Sequence, residues 1–290
     1  MKDETRKRLK WAVATCIVFI GVGLVVLRAL LGFETVLGES EPVASEQVWD
    51  TLDEVLAGSV GADGLVDYTS LAESRDALGS VAAALAEWGP RSAPDQFGTD
   101  DAKLAYYINA YNVLTLLGVV SHWPITSVHD VHGRLNPKDG FGFFYGLRFQ
   151  LDGERLNLYK LENSVMRARF VDARFHAAIN CASGACPRLR AEAYRRAELQ
   201  TQLAEAAEEF ASEAPHMEID TEARVIRLSM IYSWYAGDFE AHAGAQGHGD
   251  GVLDWVHAHA SAPVADELAA ARTQGFSVEY TAYDWSLNGY

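Results

Sequence analysis

Positive charge is scarce in this sequence of 290 residues. It contains 24 lysine and arginine residues against 40 aspartate and glutamate residues, a formal net charge of −16. Six of the basic residues and two of the acidic ones lie within the first 28 positions, which leaves 18 basic residues against 38 acidic ones in the rest of the chain. A surface of this sign repels phosphate groups, so we expect no nucleic-acid partner.

Short motifs that bind cofactors or build common active sites are absent as well. The sequence has no P-loop, no GxGxxG after a strand pattern, no GxSxG, no HExxH and no CxxC. His129 and His132, with Asp130 between them, could supply metal ligands beside His176 or a cysteine, but an HxxH pair in a loop is unspecific. We therefore predict neither a cofactor nor a bound metal. Four further histidines fall in polar or flexible stretches and are predicted to be exposed: His242, His248, His257 and His259.

The longest uncharged run lies near the N-terminus. Residues 11–27 carry no charge, and the apolar run extends to residue 33 if Arg28 places its guanidinium at the membrane interface. This length predicts an uncleaved transmembrane anchor over residues 11–33, with the lipid bilayer as its partner. A cleavable signal peptide is the alternative, and its best cleavage site is Val43-Ala44-Ser45.

Charge on either side of this run predicts its orientation. Five basic residues lie in the N-terminal tail, residues 1–10, whereas glutamates dominate the linker, residues 34–46. Because the basic side stays in the cytoplasm, the domain over residues 47–290 is expected to be extracytoplasmic or periplasmic. The sequence thus predicts a single-pass membrane protein with one large domain in the cell envelope.

The domain mixes helical and hairpin patterns without regular alternation. Thr99 or Asp100 can begin a helix that runs to about Val120 and is apolar on almost every side, so it is predicted to be the central buried helix. Asp152-Gly153 predicts a tight hairpin turn. We predict an α+β fold of helices and antiparallel hairpins around that helix. Further predicted elements are helices over 48–56, 78–88, 159–169, 191–212, 229–239, 252–259 and 264–272, strands over 175–180 and 276–285, and a hairpin over 218–228.

The densest candidate site is the segment RFHAAINCASGACP. His176 is predicted on a strand, with Cys181 and Cys186 in the loop that follows. An imidazole beside a thiol favours the thiolate, which can attack a carbonyl. The catalytic candidates are therefore a base, a nucleophile and possible orienting groups: His176, Cys181, Asn109, Asn112 and Glu162. In an exported domain the same two cysteines would more often form a disulfide.

Several segments resemble one known family. LAYYINAYNVLTL, WPITSVHDV, LNLYKLENSVMR, RFHAAINCASGACPRLRAEAY, LSMIYSWYAGDF and YDWSLN occur in the order typical of the domain of unknown function 547 family, over residues 95–288. The resemblance implies little biochemistry, although some members are joined to glutaredoxin-like modules. Tyr106-Tyr107 departs mildly from the family pattern. Asn163 stands where the family often has a histidine, which weakens any role for the position after Glu162. The pattern falls on Asn109, Tyr111, Asn112, Glu162, Arg167, His176, Cys181, Cys186 and Pro187.

A fold analogy is also open. A buried helix followed by a hairpin and a histidine-bearing strand is similar to transglutaminase-like and papain-like cores. In those folds the nucleophilic cysteine opens the helix, whereas this helix carries Asn109 and no cysteine. The analogy therefore implies a vacant nucleophile position, or a nucleophile such as Cys181 supplied from elsewhere.

Three functions follow from these patterns. The first is a membrane-anchored, thiol-dependent hydrolase or acyl transferase that uses His176 and Cys181. The second is a non-catalytic binding or scaffolding domain of the envelope, with a structural Cys181–Cys186 disulfide and a peptide or small-molecule ligand. The third is a redox role for the two cysteines, although their spacing is looser than CxxC.

Overall fold

The structure, a computed structural model, describes residues 22–27, 30, 33–36, 40–132 and 138–290. The predicted tail over residues 1–10 lies outside the described residues, and so does most of the predicted anchor. Residues 22–27 are helical, and their apolar side chains are exposed.

The N-terminal half of the domain is helical. A short strand and four helices follow one another along the chain: β1 (Glu34–Thr35), α1 (Val48–Ser59), α2 (Tyr68–Glu73), α3 (Arg75–Glu87) and α4 (Asp100–His122). The predicted central helix is thus confirmed as α4. The Thr99 hydroxyl accepts a hydrogen bond from the Ala102 amide at 3.2 Å and begins the helix.

Helix α4 is buried on nearly all sides, which explains why its apolar residues show no single face. In the described part of the chain it is the one helix long and apolar enough to cross a membrane. Its most apolar stretch is 94% buried within the protein, so it serves as the core helix. Helices α1 and α3 pack with it in the larger of two hydrophobic clusters.

The C-terminal half adds further helices and two small sheets. Its strands are β2 (Leu147–Leu151), β3 (Glu154–Leu156), β4 (Met217–Asp220), β5 (Val225–Leu228) and β6 (Ser277–Tyr280). Its helices are α5 (residues 158–169, π-helical over Leu161–Met166), α6 (Leu199–Ser212), α7 (Met230–Trp234), α8 (Ala236–Gln246), α9 (Val252–His259) and α10 (Ala262–Thr273). Strands β4 and β5 and helices α6–α10 contribute to the second hydrophobic cluster, whereas β2, β3 and α5 pack in the first.

Both sheets are built on the predicted hairpins. Strands β2 and β3 pair antiparallel, with Phe149 opposite Leu156, and β1 joins β2 in parallel. Asp152 (φ 49°) and Gly153 (φ 72°) both have positive φ, as the predicted tight turn requires. Strands β4 and β5 form the second hairpin, and β6 adds to β5 in parallel. The α+β class is therefore confirmed.

Predicted elements that were wrong in type or extent include the following three. His176 lies in a 3₁₀ helix, Ala173–Ala177, and not on a strand, because the Asp172 carboxylate caps this turn by accepting from the Arg174 amide at 3.1 Å. Helix α6 begins at Leu199 rather than at residue 191. Side chains from other elements bind the backbone amides of residues 193–195 and hold them out of a helix. The closing strand ends at Tyr280 because the following tail pairs with the loop that contains the two cysteines.

The analogy to papain-like and transglutaminase-like cores loses its main support. It depended on a strand that carries His176 after the hairpin, and a 3₁₀ turn occupies that position. The likeness is reduced to a buried helix beside a hairpin, which many folds share.

Candidate functional site

A cleft of about 440 Å³ opens between α4, α5, the His176 turn, α7 and the C-terminal tail. We call it the aromatic cleft, because eight of its lining residues are Tyr, Trp or Phe. Its lining comprises Tyr111, Phe144, Tyr145, Tyr159, Glu162, Asn163, Arg167, His176, Ile179, Cys181, Cys186, Pro187, Ile231, Trp234, Tyr235, Tyr283 and Trp285.

Stacked rings form the rim of the aromatic cleft. Tyr145 stacks on Tyr159 with their centroids 4.3 Å apart, and Trp234 stacks on Trp285 at 5.9 Å. Three of these side chains are among the exposed large hydrophobic residues: Tyr145 (38%), Tyr159 (44%) and Trp234 (45%). The rim therefore offers flat apolar surfaces to a ligand.

Glu162 is a buried carboxyl group within the cleft. It lies in the π-helical part of α5, and π-turns of this kind are frequent at functional sites. The residue is 7% exposed, and its Oε2 accepts from the Tyr111 hydroxyl at 3.5 Å. Burial raises the pKa of Glu162 above its usual value. The charge of His176 and the Tyr235 hydroxyl oppose that rise only in part.

Asp238 joins two basic side chains beside this carboxyl. Its carboxylate accepts from Arg167 Nε at 2.5 Å and Nη2 at 2.9 Å, and from His176 Nε2 at 2.8 Å. Burial raises the pKa of Asp238, but the hydrogen bonds and charges of His176 and Arg167 outweigh burial and hold it well below the usual value. Asn163 Oδ1 accepts from Arg167 Nη1 at 2.7 Å, so the position that departs from the family pattern helps to orient this arginine.

Cys181 and Cys186 form a disulfide in the wall of the aromatic cleft. Cys181 is half-buried and Cys186 is buried. The Tyr283 hydroxyl lies 3.2 Å from the sulfur of Cys181 and 3.3 Å from that of Cys186, and the Ser183 hydroxyl lies 3.0 Å and 3.3 Å from them. Burial raises the pKa of Tyr283, so its hydroxyl stays protonated and can donate.

The two asparagines of α4 have a different environment. The Asn109 amide exchanges two hydrogen bonds, both 2.8 Å, with the backbone of Tyr194. The Asn112 amide donates to the Ala178 carbonyl at 3.0 Å and accepts from the Asn180 amide at 2.8 Å. Neither residue is part of the cleft lining. Their amides hold the chain on either side of the cysteine loop.

The prediction that four histidines lie at the surface was wrong for His242. This residue is buried beside Trp255 of the second hydrophobic cluster, whose indole donates to His242 Nδ1 at 3.0 Å. His259 is half-buried against Trp255, and burial lowers the pKa of His259 to about 4. His129 packs on Trp285 with ring centroids 4.5 Å apart. Among the described residues, no group of three or more His, Cys, Asp or Glu side chains could hold a metal.

The structure thus brings three of the five catalytic candidates to one cleft: Glu162, His176 and Cys181. Sequence reasoning did not select Tyr235, Asp238 or Tyr283 as site residues. Asp238 bonds to partners 62 and 71 positions away, which no local pattern reveals. The signal that could have found these residues is the pair of segments SWYAGDF and YDWSLN, which the resemblance contains outside the cysteine region.

The structure is that of an α+β domain with a buried carboxyl group and a disulfide in an aromatic cleft. This description defines the architecture of the protein but does not identify an activity. The family described as "Protein of unknown function, DUF547" matches residues 95–211. This match confirms the resemblance to the family over those residues. The match includes Glu162, His176 and both cysteines of the cleft but not Tyr235, Asp238 or Tyr283. No curated protein and no solved structure matches the chain.

Proposed function

We propose that this protein is a membrane-tethered envelope domain that binds an organic cation in the aromatic cleft. The cation would be part of a small molecule or of an envelope peptide. The observation that carries the proposal is the buried Glu162 carboxyl group, which lies among aromatic rings without an ion-pair partner in the described part of the chain.

The hydrogen-bond pattern within the cleft favours a cation. Arg167 and His176 lie near Glu162, but both donate to Asp238 and neither forms an ion pair with Glu162. Glu162 is therefore the carboxyl group that a ligand can neutralise. Aromatic faces attract cations, by about 0.5–2 kcal/mol per contact. The net charge of −16 also draws cations towards the domain.

Calorimetry on the full chain in detergent micelles tests this function. We expect benzylamine to bind at least about tenfold more tightly than benzyl alcohol, because its ammonium group can pair with the Glu162 carboxylate. Glu162→Gln should remove the difference. Glu240→Gln, the same change at an exposed position of α8, should retain it. Equal affinities would reject the cation, and no binding by any amine, alcohol or lysine-containing peptide would reject the binding function.

The pH dependence of binding supplies a second test. A cation pairs with the ionised form of Glu162, and burial holds its pKa above the usual 4.5. The affinity for benzylamine should therefore be full at neutral pH and fall as the pH drops through that raised pKa. Benzyl alcohol should show no such dependence.

The membrane tether is supported by the uncharged run over residues 11–27 and by the basic residues before it. The exposed apolar side chains of residues 22–27 are consistent with it, since the domain does not cover them. Labelling of intact cells with an impermeant lysine reagent tests the orientation. We expect Lys103 and Lys160 of the domain to react and Lys2 to be protected.

The thiol-dependent hydrolase is less well supported. It requires a free Cys181 thiol that His176 can deprotonate. The sulfur of Cys181 is bonded to Cys186, and Nε2 of His176 bonds to Asp238. These contacts favour a binding domain over a cysteine hydrolase.

A further inference from the structure

The disulfide lies where a ligand of the cleft can reach it. Both cysteines line the aromatic cleft, and Cys181 is the more exposed of the two. A sulfur atom in the wall of an open cleft is accessible to a second thiol, which is the first requirement for exchange.

Hydrogen-bond donors surround the less exposed sulfur. The Cys181 amide donates to the sulfur of Cys186 at 2.9 Å, and the Tyr283 and Ser183 hydroxyls each lie 3.3 Å from it. Since a disulfide sulfur has no proton, a bond between it and either hydroxyl must come from the hydroxyl. The two hydroxyls lie at similar distances from both sulfurs, whereas the Cys181 amide donates to the sulfur of Cys186. This amide favours a thiolate on Cys186 and makes it the better leaving group.

The loop between the two cysteines, residues 182–185, makes hydrogen bonds that do not depend on the disulfide. The Gly184 amide donates to the Ser286 carbonyl at 2.7 Å, and the Ala185 amide donates to the Asp284 carbonyl at 3.1 Å. The Asn180 side chain accepts from the Ala182 amide at 2.8 Å. The two cysteines are five positions apart in sequence, so the bond closes only a small loop. Its cleavage should therefore leave the fold in place.

Backbone strain lies between the two cysteines. Ala182 has φ 63°, a left-handed conformation that a residue with a Cβ seldom adopts, and it is fully buried. Strained residues of this kind cluster at functional sites. A loop that only connected two segments could place a glycine there.

We propose that Cys181–Cys186 is a thiol–disulfide exchange site for thiol-bearing molecules that enter the aromatic cleft. An incoming thiolate attacks Sγ of Cys181. A bond forms between these two sulfurs, the Cys181–Cys186 bond breaks, and its electron pair leaves on Cys186 as a thiolate held by the Cys181 amide and Tyr283.

A second thiolate completes the reaction. It attacks the substrate sulfur of the mixed disulfide, and Cys181 leaves as a thiolate. The two protons lost by the incoming thiols pass to the two cysteines. Two thiols are thus oxidised to one disulfide, and the protein disulfide is reduced to two thiols. The proposal is independent of the cation at Glu162, because it concerns the sulfurs of the cleft wall.

The experiment uses the full chain in detergent micelles with Cys16→Ser as the parent, so that only this pair reacts. The oxidised parent is mixed with millimolar reduced glutathione or with a cysteine-containing peptide and quenched with acid, and the adducts are mapped by mass spectrometry. We expect adducts on Cys181 to exceed those on Cys186 by about tenfold. If glutathione reacts faster, the substrate is a small-molecule thiol. If the peptide reacts faster, the substrate is a protein or peptide thiol.

Two further measurements separate exchange from a structural disulfide. Tyr283→Phe should slow exchange several-fold, whereas Tyr280→Phe, an exposed tyrosine of β6, should not. The melting temperatures of the oxidised and reduced forms should differ by less than about 3 °C. The proposal is overturned if the pair reacts only after the protein unfolds, if both cysteines form adducts equally, or if Tyr283→Phe reacts at the parent rate.

Discussion

The asparagines of α4 and the carboxyl group of Glu162 are all buried polar groups, but their partners differ. Asn109 and Asn112 each make two backbone hydrogen bonds of 2.8–3.0 Å. Glu162 faces tyrosine hydroxyls and accepts from Tyr111 at the long distance of 3.5 Å. The asparagines are satisfied by the fold itself, whereas Glu162 keeps capacity to bind another group.

This difference distinguishes buried polar groups that stabilise the fold from buried polar groups that can bind a ligand. A buried group whose bonds are complete stabilises one conformation, and removing it leaves its partners unsatisfied. A buried group with incomplete bonds lowers stability, and a ligand can complete those bonds. Variants of the two sets should therefore change stability in opposite directions.

Asn112→Ala should have the largest effect. It removes two hydrogen bonds and leaves the Ala178 carbonyl and the Asn180 amide without their side-chain partner in the core. We expect the free energy of unfolding to fall by about 3 kcal/mol, measured by urea unfolding of the full chain in micelles. Ser121→Ala on the same helix is the control, because its buried hydroxyl has no hydrogen-bond partner in the described part of the chain. A loss below about 1 kcal/mol would show that the hydrogen bonds of Asn112 contribute little to the stability of the fold.

Asp238→Asn should follow, with a loss of about 2 kcal/mol at pH 7. The variant keeps the shape of the side chain but weakens its bonds with Arg167 and His176. Because the pKa of Asp238 is depressed in the folded state, its contribution is present above the unfolded value of 3.8 and is lost as the pH falls through the folded value. The gap between the two proteins in urea unfolding should therefore close in acid. A gap that stays constant with pH would contradict the ion-pair account.

Glu162→Gln should act in the other direction. The folded-state pKa of Glu162 is raised, so its contribution to stability is present below the usual 4.5 and is lost as the pH rises through the folded value. At pH 7 the ionised group lowers stability, and its replacement should raise the free energy of unfolding by about 1 kcal/mol. Thermal unfolding at pH 7 and pH 4 measures this gain, which should vanish at the lower pH. A destabilised variant would place Glu162 among the structural polar groups.

The sequence predicts the core helix α4 better than it predicts the aromatic cleft. Helix α4 has a capping Thr99 and is apolar on almost every side, and both signals are local. The hairpin turn at Asp152-Gly153 is local too. These features depend on propensities within a few residues, which a single sequence contains.

The cleft and the start of α6 depend on tertiary contacts that a local sequence pattern does not reveal. The short apolar run around His176 is compatible with a strand or a turn, and the Asp172 cap favours the turn. Residues 193–195 are kept out of α6 by side chains of Asp53, Asn109 and Gln202. Asp238 enters the site only because α8 packs beside the His176 turn. Tertiary contacts of this kind override local pattern, so the positions of His176 and Asp238 at the cleft could not be derived from the sequence.

Thr115→Val should have the smallest effect, and it tests the comparison on α4 itself. Thr115 lies one turn from Asn112, is 1% exposed, and its hydroxyl has no hydrogen-bond partner among the described residues. Valine has nearly the same shape and removes the unsatisfied hydroxyl, so the free energy of unfolding should rise by about 0.5 kcal/mol. Urea unfolding beside Asn112→Ala measures the change. If Thr115→Val is as destabilising as Asn112→Ala, hydrogen-bond completeness does not decide how buried polar groups of this helix affect stability.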